Sequence, residues 1–424
     1  MIIYDVIVVG SGVAGLYTCL NIHNNLKVLL VTKEKLDKCN SYLAQGGVSV
    51  LKDNDDFDNY LEDTLKAGQY KNNRQAVELM IKSSRKVIDD LISYGVDFEN
   101  EDGKLKYTKE GAHCIDRIVY HKDITGKEIV LKLIDAVKLK DNVEIKEDTQ
   151  MINILKDDDK CIGITVKKDG KIKNIYAKKV VLATGGIGGL FKNSTNFSHI
   201  KGDGIAIALN NGIKTKDLEY VQIHPTALYT KGKGRRFLIS ESLRGEGAYL
   251  LNSKGERFVD ELLPRDVVSK AIFDELRKTG DECVYLSFNH KGKEFVKNRF
   301  PNIFEKCKEQ GYILGEEKIP VTPAQHYYMG GINIDDLGRT SLENLYAVGE
   351  SACLGIHGAN RLASNSLIEA LVFSKRAAQD INKNINEDFN VADKDLVCED
   401  KLDNMNLIES IKKGSNLISD EWFR

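Results

Sequence analysis

Apolar residues are distributed along the chain in three ways, and each predicts a kind of element. The run DVIVVG (5–10) is short and continuously apolar, the pattern of a strand buried on both faces. A Gly turn, a helix through about Asn24 and a second such run, KVLLVT (27–32), follow it, completing a β-α-β unit of ~30 residues. In NNRQAVELMIKSSRKVIDDLISYG (72–95) the apolar spacing is helical, and Gly95 stands where a helix C-cap is expected. From Asn142 to Ala183 short alternating runs replace it: EIKE, MINIL, CIGITV and IKNIYAKKVVLA, with a hairpin turn at Asp169-Gly170.

Two later strands, in VVLATGG (180–186) and NLYAVGE (344–350), end in small residues as the first does. This predicts one parallel sheet whose carboxyl edges meet a single ligand. Residues 221–330 are mixed in pattern and hold most of the prolines, and are read as an α+β capping domain inserted into the first. The expected organisation is α/β: a Rossmann-like nucleotide-binding domain over 1–220 and 331–392, the cap between them, and a short helical C-terminal segment over 393–424.

Composition narrows the function classes. A chain of 424 residues suffices for two domains, and a net charge of −2 gives no general basic field for nucleic acid or anionic membrane. The eight cysteines are scattered with no C-x-x-C, against a zinc site, an iron–sulfur cluster or a disulfide framework. No metal site is expected. Asp5 and the Gly cluster interrupt the N-terminal apolar run, which lacks the marks of a signal peptide, so a soluble cytoplasmic protein is expected. The acidic runs KDNDDFDNY (52–60) and KDDDK (156–160) are read as structural, the first failing the calcium-loop pattern at its sixth position.

The first Gly turn carries candidate chemistry. GSGVAG (10–15) fits G-x-G-x-x-G between a strand and a helix: Gly10 for the turn, Gly12 for backbone approach to a pyrophosphate, Gly15 for close helix packing. Thr32 and Lys33 stand where an acidic ribose partner of NAD is usual, and Glu34 comes two positions late. Gly-rich segments recur at 40–47, 183–189, 202–204 and 349–366, which suits an extended ligand such as FAD.

The motifs GSGVAGL, NSYLAQGG, VVLATGG, GDGIAIA, HPTALY, LRGEGAYL, PRDVVSKAI, LYAVGE and HGANRLASNSL occur together and in order. In this the chain resembles the succinate dehydrogenase/fumarate reductase flavoprotein family, nearest its L-aspartate oxidase branch, over about residues 3–380. The resemblance implies FAD held by Gly10, Ser11, Gly12, Val13, Ala14, Gly15, Lys33, Asn40, Ser41, Gln45, Gly46, Gly47, Ala183, Thr184, Gly185, Asp203, Glu350, Asn365, Ser366 and Leu367. Asn40 occupies the position of the His that bonds covalently to flavin in the respiratory complexes, so the FAD is expected to be non-covalent. Glu110 matches a Glu that orients the substrate amino group.

At the reacting end, Ser366 and Glu369 have capping-box spacing, which predicts a helix start near Ser366. The resemblance implies that this start faces the flavin pyrimidine ring and that Arg361 forks a substrate carboxylate. His224 and His326 are the candidates for a second anion site, with Thr226 or Thr322 assisting and Glu246 lining the cavity. His23, His199 and His290 are read as structural, and His121 and His357 are left open. Arg265 matches the family's proton-exchange position; a guanidinium is a poor base, so an electrostatic task or an ion pair to Asp266 or Glu261 stands beside that role.

The implied reaction is oxidation of L-aspartate to iminoaspartate by hydride transfer to flavin N5. Reoxidation by fumarate or oxygen and a hand-off of product to quinolinate synthase, toward NAD, complete the expectation. A soluble fumarate reductase or succinate dehydrogenase-like enzyme is the alternative, and Asn40 and Glu110 argue against it. Aspartate oxidases commonly carry a longer C-terminal helical region than the segment NMNLIESIKKGSNLISDEWF seen here.

Overall fold

The computed structural model describes residues 3–232, 234–385, 399–415 and 418–424. β1 (Ile3–Val9) and β2 (Val28–Val31) run parallel, Val6 opposite Val28, and are joined by helix α1 (Val13–Asn21). Ile22 turns extended and its N–H closes on Thr18 O, which ends α1 earlier than the expected Asn24. Helix α2 (Arg74–Ser93) is capped at its start by the Asn73 side chain on Ala76 N–H. At its end Gly95 takes φ +86° and Val96 N–H returns to Leu91 O, the left-handed stop that only Gly accepts without strain.

β3 (Val143–Lys146), β4 (Gln150–Asp157), β5 (Lys160–Lys168) and β6 (Lys171–Leu182) join the same sheet, in the order β3-β2-β1-β6-β5-β4. The sheet is therefore mixed, not wholly parallel as the strand ends suggested. β6 spans both patterns: its first half pairs antiparallel with β5 through the Asp169-Gly170 turn, and its second half runs parallel to β1. Asp169 and Gly170 both have positive φ, as a two-residue type I′ turn requires.

A second apolar core, reaching from Leu228 to Val321, lies under another sheet. There β7 (Val221–Leu228) pairs antiparallel with β9 (Ile319–Tyr328), with helix α3 (Arg265–Thr279) against β7 and β8 (Val284–Ser287) beside β9. Asn193–Ser194 adds a short strand to this sheet, so the sheet draws on residues before 221. The β7–β9 register slips between His224 and Ala227, around Pro225, and such a bulge re-aims the side chains beside it.

The chain returns to the first sheet as β10 (Leu345–Ala347), parallel to β6 with Leu345 opposite Val180, and helix α4 (Asn365–Asn384) then packs on α1. The capping box predicted at Ser366 is absent. Ser364 precedes α4 at φ +61°, its hydroxyl is engaged by Glu110, and Ser366 is already inside the helix.

The run 52–60 is structural as read: Asp56 is buried in an ion pair with Arg117 at 2.8 Å. KDDDK forms the turn between β4 and β5. Of the expected C-terminal segment, 393–398 lies outside the described residues, and a helix (Met405–Gly414) follows. Among the described residues, no helix is long and apolar enough to cross a membrane, no acidic, His or Cys cluster suits a metal, and seven cysteines are free thiols. Cys398 is outside them.

Candidate active site

A cavity of about 440 Å³ opens at the carboxyl ends of β1 and β6 and runs to the mouth of the β7–β9 sheet. Its far wall is built on backbone contact. Gly10 N–H bonds Val31 O at 2.8 Å, and a Cβ on Gly10 would stand 2.1 Å from Ala183 O. Gly12 opens onto the cavity, with only Ser41 Oγ near its missing Cβ, and the N–H groups of the first turn of α1 begin there, Val13 N–H donating to Ser41 Oγ at 3.3 Å. Ser11, Gly12, Val13, Ala14, Lys33, Asn40, Ser41, Gln45, Gly46, Gly47, Ala183, Thr184, Gly185, Asp203, Glu350, Ser366 and Leu367 all line it, with Gly10.

Two expected cofactor residues do not. Gly15 is internal, where a Cβ would be 1.9 Å from Gly10 O, so it acts only through packing. Asn365 is fully buried and turned away, accepting from Tyr60 Oη at 2.8 Å and donating to Thr64 Oγ1 at 3.2 Å. Lys33 is held by Asp203 at 2.6 Å, so each neutralises the other at the cavity wall. His199, read as structural, does line the cavity, and its ring nitrogen bonds Lys38 O at 2.9 Å.

Several buried polar atoms on this wall have no partner among the described residues: Asn40 Nδ2, Gln45 Oε1 and Thr184 Oγ1. Such groups are expensive to bury unpaired, and an extended polar ligand satisfies them. Together with the Gly12 approach and the α1 terminus, they fit FAD. Burial pushes the Glu350 carboxyl up to about 7, while its Oε1 accepts from Tyr328 N–H at 3.0 Å.

The near end gathers Glu110, His224, Arg265, His326 and Arg361, all of them cavity-lining. Thr226 N–H donates to His224 Nδ1 at 3.2 Å, which places the proton of the neutral ring on Nε2. That Nε2 has no partner among the described residues and is a donor awaiting an anion. His326 Nδ1 is 2.8 Å from Thr195 Oγ1, and the two rings meet edge to face at 5.0 Å. Burial, and then the Arg265 charge, hold both histidines well below the ordinary value, so both are neutral near pH 7.

Arg361 makes no ion pair among the described residues. Its Nη1 donates to Ser366 Oγ at 3.1 Å, its Nε is buried without an acceptor, and its guanidinium lies 4.4 Å over the Tyr327 ring. Burial, with Arg265 adding to it, lowers its pKa to about 10. Arg265 is differently served: Nε donates to Glu241 Oε2 at 2.5 Å and Nη1 to Gln222 Oε1 at 2.9 Å. Neither Asp266 nor Glu261 is its partner; Asp266 accepts from Gln69 and Glu261 pairs with Arg257.

Glu241 also stands 3.3 Å from Arg244 Nη2, so one buried carboxylate separates two buried guanidinium groups. Burial would raise the Glu241 carboxyl, but the two arginines outweigh it and hold it below the ordinary value. The Glu110 carboxylate accepts from Ser242 Oγ at 2.9 Å and Ser364 Oγ at 2.5 Å.

Glu246 does not line the cavity; it pairs with Arg299 at 2.8 Å, because the short helix Glu241–Gly245 turns Glu241 inward and leaves Glu246 beyond its end. Thr322 is likewise off the cavity, opposite Ala227 on β9, while Thr226 backs His224. His121 bonds the Asp97 backbone and His357 bonds Glu369, and neither lines the cavity. Glu241, Arg244, Gln222, Ser242 and Thr195 were not singled out in the sequence. Arg244 lies inside the motif LRGEGAYL, but nothing in the motif gives it a role apart from Glu246.

The family model of the FAD binding domain matches residues 5–367. An L-aspartate oxidase of Clostridium perfringens is 54% identical over 397 residues, 93% of this chain and 90% of that protein. One from Clostridium acetobutylicum is 50% identical over 383 residues, covering 90% and 88%. Among solved structures, a variant of the E. coli quinol fumarate reductase FrdA superposes with a TM-score of 0.87 at 29% identity, covering 99% of this chain and 76% of that one. The chain belongs to the L-aspartate oxidase family of FAD-binding flavoproteins.

Proposed function

We propose that the protein oxidises L-aspartate to iminoaspartate, with fumarate or oxygen as the final acceptor. The observation that carries the reading is Arg361, a buried guanidinium with no carboxylate partner among the described residues, facing the same cavity as the His224 Nε2, which likewise has none there. A buried unpaired cation beside neutral donors is unfavourable until a dianion arrives. FAD supplies the two-electron acceptor when bound.

The chain's own residues do the rest. Arg361 forks one carboxylate, and His224 and His326 donate to the other, so the substrate Cα is fixed in one orientation. Glu110, held open by two serine hydroxyls, takes the amino group, which succinate and fumarate lack. Arg265, aimed by Glu241 and Gln222, stabilises negative charge and supplies a proton when fumarate is the acceptor. The cavity serves a dicarboxylate in either direction, so fumarate reduction is the half-reaction that returns the flavin. Release of iminoaspartate to a quinolinate synthase in the cytoplasm, as the opening of NAD synthesis, belongs to the same proposal.

The test is an anaerobic titration of the flavin-loaded protein with L-aspartate, with D-aspartate and succinate as controls. Bleaching of the flavin by L-aspartate alone, reversed by fumarate, is the expected result. No bleaching by aspartate, with reoxidation of chemically reduced flavin by fumarate, would move the assignment to a fumarate reductase.

A further inference from the structure

Glu369 has capping-box spacing from Ser366, but its carboxylate is buried and caps nothing. Its Oε2 accepts from Tyr327 Oη at 3.0 Å and from His357 Nε2 at 2.8 Å. His357 Nδ1 has no partner among the described residues, so the ring proton is assigned to Nε2 and donated to Glu369. The carboxylate thus sits at the hydroxyl end of Tyr327, while the ring face of Tyr327 lies 4.4 Å from the Arg361 guanidinium.

A Tyr ring attracts a cation through its electron-rich face, and the attraction grows where water is excluded. An anion accepting from the phenol hydroxyl enriches that face and fixes the ring's tilt. Arg361 needs such support, since among the described residues its only side-chain hydrogen bond runs from Nη1 to Ser366. On the reading of Arg361 as the carboxylate fork, we infer that Glu369 is a positioning residue for substrate binding, acting through the Tyr327 ring on the Arg361 guanidinium. His357 fixes the Glu369 carboxylate and so belongs to the same device.

The inference separates charge from shape. Glu369→Gln keeps the size and can keep both hydrogen bonds, and removes only the charge. In the FAD-loaded enzyme, its Kd for succinate, read from the flavin absorbance, is expected to rise roughly tenfold. KM for L-aspartate should rise more than kcat falls, with flavin content and thermal midpoint as in the parent. Tyr327→Phe keeps the ring, loses the link to Glu369, and should raise Kd to the same order, the double variant adding little.

An unchanged Kd in both variants overturns the inference, as does a lowered thermal midpoint with Kd unmoved, which would make Glu369 a scaffold residue. Tyr327→Phe carries the test alone if Glu369→Gln does not fold. A parent enzyme that binds no dicarboxylate overturns the reading of Arg361 and this inference with it. A parent that binds while both variants bind equally well overturns the inference alone.

Discussion

Arg265 Nε donates to Glu241 Oε2 at 2.5 Å in a pair that is almost wholly buried. Glu241 is also the carboxylate nearest Arg244, so its single charge compensates two guanidinium groups. Glu241→Gln should leave both under-compensated and destabilise the ligand-free protein by about 3 kcal/mol. A bound dianion restores part of the balance. The rise in thermal midpoint on saturating succinate should therefore be larger in the variant than in the parent; equal rises would mean that Arg265 does not face the ligand.

Glu110 and its two serines should divide the substrates. In Glu110→Gln the serine hydroxyls can turn to the amide, so the site keeps its shape but loses the anion that meets an ammonium group. Aspartate oxidation should fall about a hundredfold in kcat/KM, the value of one charge-assisted contact, with fumarate reduction changed by less than about threefold. Steady-state rates with each substrate check this, and equal losses would remove the role given to Glu110.

Arg361→Leu should separate stability from binding. The native guanidinium is desolvated without an ion-pair partner, so an apolar replacement should hold or raise the thermal midpoint of the ligand-free protein. Succinate affinity should fall at least about a hundredfold with FAD still bound. Loss of flavin from the variant would make the residue structural.

Part of the acid sensitivity should trace to His113, a buried histidine outside the cavity wall. Its Nε2–H donates to Ala363 O at 3.0 Å and its Nδ1 accepts from Arg117 at 2.9 Å. Burial and the Arg117 charge depress it to about 4. The unfolded chain takes up this proton near pH ~6.5 and the folded chain does not. The stability is therefore whole above pH ~6.5, is lost as pH falls, and levels off near 4 once the folded form also protonates. Denaturant unfolding between pH 7 and 4 should show the decline, to which the buried His224 and His326 also contribute, and His113→Gln should make it shallower by about 3 kcal/mol.

The first sheet and helix α2 were readable because their patterns are local: the apolar runs of β1 and β2, the Asp169-Gly170 turn and the Gly95 stop each lie within a few residues. Sequence spacing misled where a side chain had a distant partner. Ser366 and Glu369 have capping-box spacing, yet Glu369 is claimed by Tyr327 and His357, and Ser364 by Glu110. Glu246 was expected at the cavity, and Glu241 stands there instead because of where one short helix ends, which no periodicity records. Gly15 and Asn365 sit inside the right motifs but face protein, because a motif names a segment and not the direction of each side chain.

The two ends of the cavity differ in their capacity to evolve. At the far wall, backbone meets backbone: a methyl group on Gly10 would collide with Ala183 O, and one on Gly15 with Gly10 O, and no rotamer relieves either. Drift there ends in misfolding, so the cofactor is locked in by geometry. At the near end Glu110 is suspended from two hydroxyls, and Gly46 is kept small by a carboxylate that could itself be shortened. One or two exchanges at positions 46, 110 and 242 would retune which dicarboxylate is accepted while the electron-accepting half stayed as it is. An ancestral flavoprotein of this shape could thus gain or lose an amine preference in few steps, with the rest of the machine untouched.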